Sequence, residues 1–191
     1  MAASVWNVPN ALSMARLALA IFVCGLIEYH AYTAALVCFS IAAGTDWVDG
    51  WYARKYQQVT KLGRILDPFV DKVIIIAAMI LLCVQPGTGL HAWMVTLVVG
   101  RELLVTSLRG LVEGSGGDFS AKQLGKWKMV LQCAAIIIIL LWLIVPEVPD
   151  WIFWLRPASI AGALLLTVLS GAEYVMLVRR ELQSPIDPAA K

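Results

Sequence analysis

The chain has 191 residues, of which 60% are hydrophobic and 15% charged, with a formal net charge of +2. Its mean hydropathy is +0.78. That balance excludes a soluble domain and offers no basic surface for nucleic acid, so the composition predicts an integral membrane protein.

In chain order, residues 1–14 carry Trp6, Val8 and Leu12 among polar positions, which predicts a short interfacial segment leading into a first span. Six apolar stretches follow, at Ala11–Glu28, Ala31–Tyr52, Ile65–Val84, Leu90–Leu111, Leu124–Val145 and Ile152–Val178. Each is near the roughly 20 residues that a helix needs to cross a bilayer. Arg16 before Leu17–Ile27 imitates a signal peptide, but no small-residue cleavage site and soluble domain follow, so the segment reads as a retained span. Short connections at Glu28–Ala31, Gln85–Gly89 and Pro146–Trp151 alternate with a longer one at Glu113–Gln123, whose glycines suit a lid or a plain connector. No internal repeat is visible. Residues 1–183 form one expected all-α domain of six transmembrane helices, and 184–191 an expected disordered tail. Cys24, Cys38, Cys83 and Cys133 all fall inside apolar spans and read as packing residues.

The basic residues set an orientation. Arg16, Arg54, Lys55, Lys61, Arg64, Arg109, Lys122, Lys126, Lys128, Arg179, Arg180 and Lys191 fall at one side of a six-span topology. Arg156 stands at the other, beside Glu28, Glu147 and Asp150. The positive-inside rule then puts both termini in the cytoplasm, in a cytoplasmic membrane with the site facing the cytoplasm.

The strongest chemical signal is four carboxylates where hydrocarbon tolerates them least. Asp46 and Asp49 stand at i and i+3 on the second span, and Asp67 and Asp71 at i and i+4 on the third. Each pair projects from one helix face, and a hairpin would join the faces into an acidic nest. Four like charges at close range need cations, and hard oxygen donors suit Mg²⁺ or Mn²⁺. A salt-bridge network through Arg54, Arg64 and Lys72 is the structural alternative.

From Asp46 to Asp71 the residues Asp46, Asp49, Gly50, Ala53, Arg54, Gly63, Asp67 and Asp71 spell D-x2-D-G-x2-A-R-x8-G-x3-D-x3-D. This resembles, position for position, the signature of the CDP-alcohol phosphotransferase family. The resemblance implies a six-span membrane enzyme, usually a homodimer, whose substrate is a CDP-linked lipid. Two divalent ions on Asp46, Asp49, Asp67 and Asp71 would clamp the diphosphate, and Asp71 would also take the acceptor's proton. Gly50 would let the nucleotide approach the backbone, Ala53 would keep that face shallow for cytosine, and Arg54 would offer a cationic fork. Gly63 would end a turn or admit the nucleotide.

A second constellation concerns the acceptor. Glu102, Thr106, Arg109 and Glu113 share one stripe of the fourth span, with Arg101 on the neighbouring face. Arg101, Arg109, Lys126 and Lys128 together predict a cationic pocket for a phosphate, with Glu102 steadying an arginine. Asn10 and Arg16 are weaker candidates, since Asn10 also suits a helix cap. R-E-x5-L-R followed by G-K-x-K, with the opening Asn7–Arg16, resembles the family's subgroup acting on glycerol 3-phosphate, although Met129 stands where that subgroup commonly has threonine. The expected partners are therefore CDP-diacylglycerol, glycerol 3-phosphate and the bilayer. The same chemistry with phosphatidylglycerol or inositol phosphate stays open, and a cation- or proton-coupled transporter is the rival from another class.

Overall fold

The computed structural model describes residues 8–56, 61–114 and 123–183, with side-chain surroundings for residues 11, 13–45, 69–110 and 123–179. The described residues form six helices: α1 (Val8–Glu28), α2 (Tyr32–Tyr56), α3 (Lys61–Cys83), α4 (Ala92–Gly114), α5 (Gln123–Ile144) and α6 (Asp150–Gln183). Two of them, α5 and α6, are long and apolar enough over their described residues to cross a membrane. Residues 115–122 of the Glu113–Gln123 connection, the tail and residues 1–7 of the interfacial segment lie outside the described residues.

Six helices stand at the six apolar stretches. At the ends joined by short loops the boundaries differ by a residue or two, but at the opposite ends the helices outrun the apolar windows. Thus α2 reaches Tyr56 rather than Tyr52, and α6 reaches Gln183 rather than Val178. Hydropathy stops where side chains turn polar, whereas backbone hydrogen bonds continue through them. One consequence concerns Pro68, which a span starting at Ile65 would put in its first turn. Because α3 begins at Lys61, Pro68 lies in the helix interior, where its missing N–H forfeits one backbone bond.

The short loops are built by specific caps. After α1, the His30 amide donates to the Ile27 carbonyl at 3.1 Å and the Ala31 amide to Leu26 at 2.8 Å, with His30 at φ 57°. This is the Schellman arrangement, with histidine in the left-handed position that glycine usually takes. Gly87 and Gly89, at φ 75° and 73°, turn the chain between α3 and α4. Arg156 braces that turn, donating to the Gly87 carbonyl and lying 3.6 Å over the Trp142 ring.

Helix α1 packs against α2 and α3, α5 against α2, α3 and α6, and α4 against α3 and α6. Ile27, Phe39, Leu82, Ile136 and Leu140 are fully buried between them. Ile21, Phe22, Leu103, Leu165 and Met176 face outward instead, as they would toward lipid rather than water. The four cysteines are free and half-buried. Phe39→Ala should lower stability by about 3 kcal/mol through the cavity it leaves. Val37→Ala, on the outward face of the same helix, should change it far less. Thermal unfolding of the detergent-solubilised pair checks the packing, and equal losses would contradict it.

Candidate active site

The buried stripes change character along their length. On α1 the sequence Ser13, Arg16, Ala20, Val23, Ile27 stays buried throughout, polar at the N-terminal end and apolar beyond it. On α5 the stripe runs Lys128, Gln132, Ala135, Ile136, Ile139, and on α6 it runs Ile160, Ala163, Thr167, Ser170, Tyr174. These polar ends fall at the same end of the bundle, away from the short loops. A polar group buried there must find a partner, because hydrocarbon supplies none.

Arg16 finds Asp71. Arg16 is 3% exposed, and its guanidinium donates to the Asp71 carboxylate at 2.6 Å, linking α1 to α3. A buried charge-assisted bond of this kind holds the carboxylate in a fixed direction. Asp67 precedes Asp71 by one turn of α3, and Asp46 and Asp49 belong to α2, together with Gly50, Ala53 and Arg54. Gly63 is on α3 and Asn10 on α1. The side chains of these last residues lie outside the described ones. Among the described residues no group of three or more acidic, histidine or cysteine side chains forms a metal cluster. Asp71 is the one member of the expected acidic set whose side chain is described.

The residue after Asp71 opens the second cluster. Lys72 donates to the Thr106 hydroxyl, which donates in turn to the Glu102 carbonyl at 2.7 Å. Lys72 is within electrostatic reach of Glu102, Arg109, Arg101 and Asp71. Glu102 lies buried between two cations: Arg101 donates to its Oε1 at 3.1 Å, and Lys128 donates to the same oxygen. Arg101 also donates to Ser170 at 2.9 Å, and that hydroxyl turns onto the Leu166 carbonyl at 2.6 Å. Tyr174 sits between both arginines. Its ring centroid is 5.6 Å from the Arg101 guanidinium carbon and 6.0 Å from that of Arg109, and Arg109 donates to its hydroxyl at 3.2 Å. One turn below Lys128, Gln132 donates to Thr167 at 3.2 Å and closes α5 against α6.

The structure therefore brings Arg101, Glu102, Arg109 and Lys128 together, as their sequence spacing suggests. Lys126 is not in this group. It is exposed while Lys128 is 5% exposed, because two residues along a helix turn a side chain to nearly the opposite face. Met129 packs against the apolar core. Sequence reasoning missed Ser170 and Tyr174 and gave Lys72 and Arg16 too little weight. The available signal was Thr167, Ser170 and Tyr174 recurring at i, i+3 and i+7 within an apolar helix.

The sequence profile described as CDP-alcohol phosphatidyltransferase matches residues 6–169. A Bacillus subtilis (strain 168) protein named CDP-diacylglycerol--glycerol-3-phosphate 3-phosphatidyltransferase is 38% identical over 185 residues, covering 89% of this chain and 94% of its own. Proteins of the same name from Escherichia coli (strain K12) and Blochmanniella floridana are similar as well. The first is 33% identical, over 93% of this chain and 97% of its own. The second is 32% identical, over 91% and 92%.

Replacing Arg16 by Leu removes the buried cation beside Asp71 and should cost about 3 kcal/mol of stability. Lys126→Ala, at an exposed position, should cost less than about 0.5 kcal/mol. Thermal denaturation of both variants separates the roles, and an Arg16 variant as stable as the parent would contradict the buried pairing.

Proposed function

The chain belongs to the CDP-alcohol phosphatidyltransferase family, and on that premise we propose that it transfers the phosphatidyl group of CDP-diacylglycerol to the C1 hydroxyl of sn-glycerol 3-phosphate. The products are phosphatidylglycerophosphate and CMP. The observation that carries the acceptor assignment is the buried set of Arg101, Lys128 and half-buried Arg109, which begins one residue from Asp71 through Lys72. An uncharged alcohol gives no reason to bury so many cations, whereas a phosphate rewards arginine forks and lysine point charges.

The acidic residues fit a divalent metal by their donor chemistry. Asp46 and Asp49 share a face of α2, Asp67 and Asp71 share a face of α3, and carboxylate oxygens are the donors that Mg²⁺ and Mn²⁺ prefer. Two such ions, when bound, neutralise the diphosphate and ease departure of CMP. The protein's own groups do the remaining work. Arg54 engages phosphate oxygens, Gly50 and Gly63 admit the nucleotide, and Ala53 leaves a shallow face for cytosine. The pocket around Arg101, Arg109 and Lys128 holds the acceptor by its phosphate and turns the C1 hydroxyl toward the lipid-side phosphorus. Asp71, oriented by Arg16, takes the hydroxyl proton as the new O–P bond forms and the bond to CMP breaks. Lys126 lies outside the buried set and acts as a general electrostatic attractor for the acceptor.

The enzyme works as an integral protein of a cytoplasmic membrane, its six helices crossing the bilayer with both termini and the site on the cytoplasmic side. The outward apolar faces and the polar ends gathered at one end of the bundle support this arrangement. The family resemblance suggests a homodimer.

CMP release by the purified protein should require CDP-diacylglycerol and glycerol 3-phosphate, and should stop on chelation and return with Mg²⁺. Equal release with phosphatidylglycerol or inositol phosphate would overturn the acceptor assignment. Asp71→Asn should reduce kcat by at least about 10²-fold, the scale of a lost general base. Arg109→Ala should raise the acceptor KM by about tenfold or more, the scale of one lost charge-assisted hydrogen bond. An unchanged KM would remove Arg109 from the pocket.

A further inference from the structure

An acidic side chain at the centre of a phosphate pocket requires its own explanation. Glu102 is 5% exposed, as is Lys128, and Arg101 is 9% exposed. Both cations converge on a single carboxylate oxygen, Oε1. If the pocket served only to attract an anion, this carboxylate would weaken it by like-charge repulsion.

We propose that Glu102 is a resident competitor for the acceptor's phosphate and thereby sets which anions the pocket accepts. The inference rests on the acceptor-phosphate reading above. Without a resident anion, Arg101, Lys128 and nearby Lys72 would be cations repelling one another in a poorly screened interior. Glu102 offsets that repulsion, so the pocket keeps its shape at a lower effective affinity. A phosphate brings about −1.5 to −2 charge and three strong acceptor oxygens. It therefore gains more from the same two cations than Glu102 loses by turning aside. A monoanionic carboxylate brings no more charge than Glu102 and does not win the exchange.

Thr106 and Ser170 make that exchange local. Thr106 ties Lys72 to the backbone of Glu102, and Ser170 holds the second terminal nitrogen of Arg101. Lys72 and Arg101 thus stay in place while the carboxylate moves by rotation about its side-chain bonds. Release of the phosphorylated product is assisted by the same return of Glu102 to Arg101 and Lys128.

The test uses the full chain in detergent, with inorganic phosphate as probe, read both as a competitive inhibitor against glycerol 3-phosphate and as a thermal stabiliser. In Glu102→Gln the inhibition constant of phosphate should fall at least tenfold and the acceptor KM should fall with it. Added phosphate should raise Tm more than in the parent, and glycerate should become an inhibitor. A residue that merely orients Arg101 and Lys128 gives the opposite sign, weaker phosphate binding and a higher KM, and that result overturns the proposal. Glu102→Asp, which keeps the charge but draws it back by one methylene, should move phosphate affinity in the same direction by a few-fold. This guards against a poorly folding Gln variant. Phosphate that competes in the parent but binds no tighter in either variant defeats this inference alone. Phosphate that never competes defeats the pocket reading, and this inference with it.

Discussion

Three charges, those of Arg101, Glu102 and Lys128, are buried together where α4, α5 and α6 meet, and the polar end of the bundle is organised around them. None could lie there alone, because an unpaired buried ion costs several kcal/mol. Each satisfies another, and the second terminal nitrogen of Arg101 donates to Ser170 of α6. The result fixes more than a pocket. It fixes which faces of three helices meet, since a quarter-turn of any one would strand a charge in an apolar setting. Gly171 allows this closeness: a Cβ there would come within 3.2 Å of the Arg101 Cγ.

The same gradient, polar at one end of each buried stripe and apolar at the other, connects fold to function. The outward faces are apolar along much of their length, so polarity is an interior property here. A reaction between a lipid-borne diphosphate and a water-soluble phosphate needs such a place, open to both phases but belonging to neither. Helix α3 joins the two halves of the proposed chemistry in consecutive residues. Asp71 faces α1 through Arg16, and Lys72 faces α4 through Thr106.

Much of this was legible in the sequence, for physical reasons. Charges inside apolar windows are expensive, so Asp46, Asp49, Asp67, Asp71, Arg101, Glu102 and Arg109 stand out from their neighbours without any structure. Helix existence followed from window length, and the short-loop ends from their turn residues. Less legible was everything that depends on which helices touch. Lys126 and Lys128 look equivalent in a string of letters but lie on nearly opposite sides of α5. Tyr174 and Ser170 are ordinary residues until α6 is laid against α4 and they become the seat of two arginines. Arg16 reads as a topology signal and no more than a weak site candidate because its partner is 55 residues away. Pro68 looks close to a helix start because polar residues hide the true first turns of α3.

The central claim is that the buried cations select a phosphorylated acceptor for phosphatidyl transfer. The most direct measurement is the ratio of kcat/KM for glycerol 3-phosphate to that for glycerol, in the parent and in Lys128→Met. The parent ratio should be large, and it should fall by at least about 10²-fold in the variant, the scale expected when a buried charge-assisted contact of about 3 kcal/mol is removed. A ratio that stays the same while overall activity falls would mean that Lys128 supports the fold and does not read the phosphate.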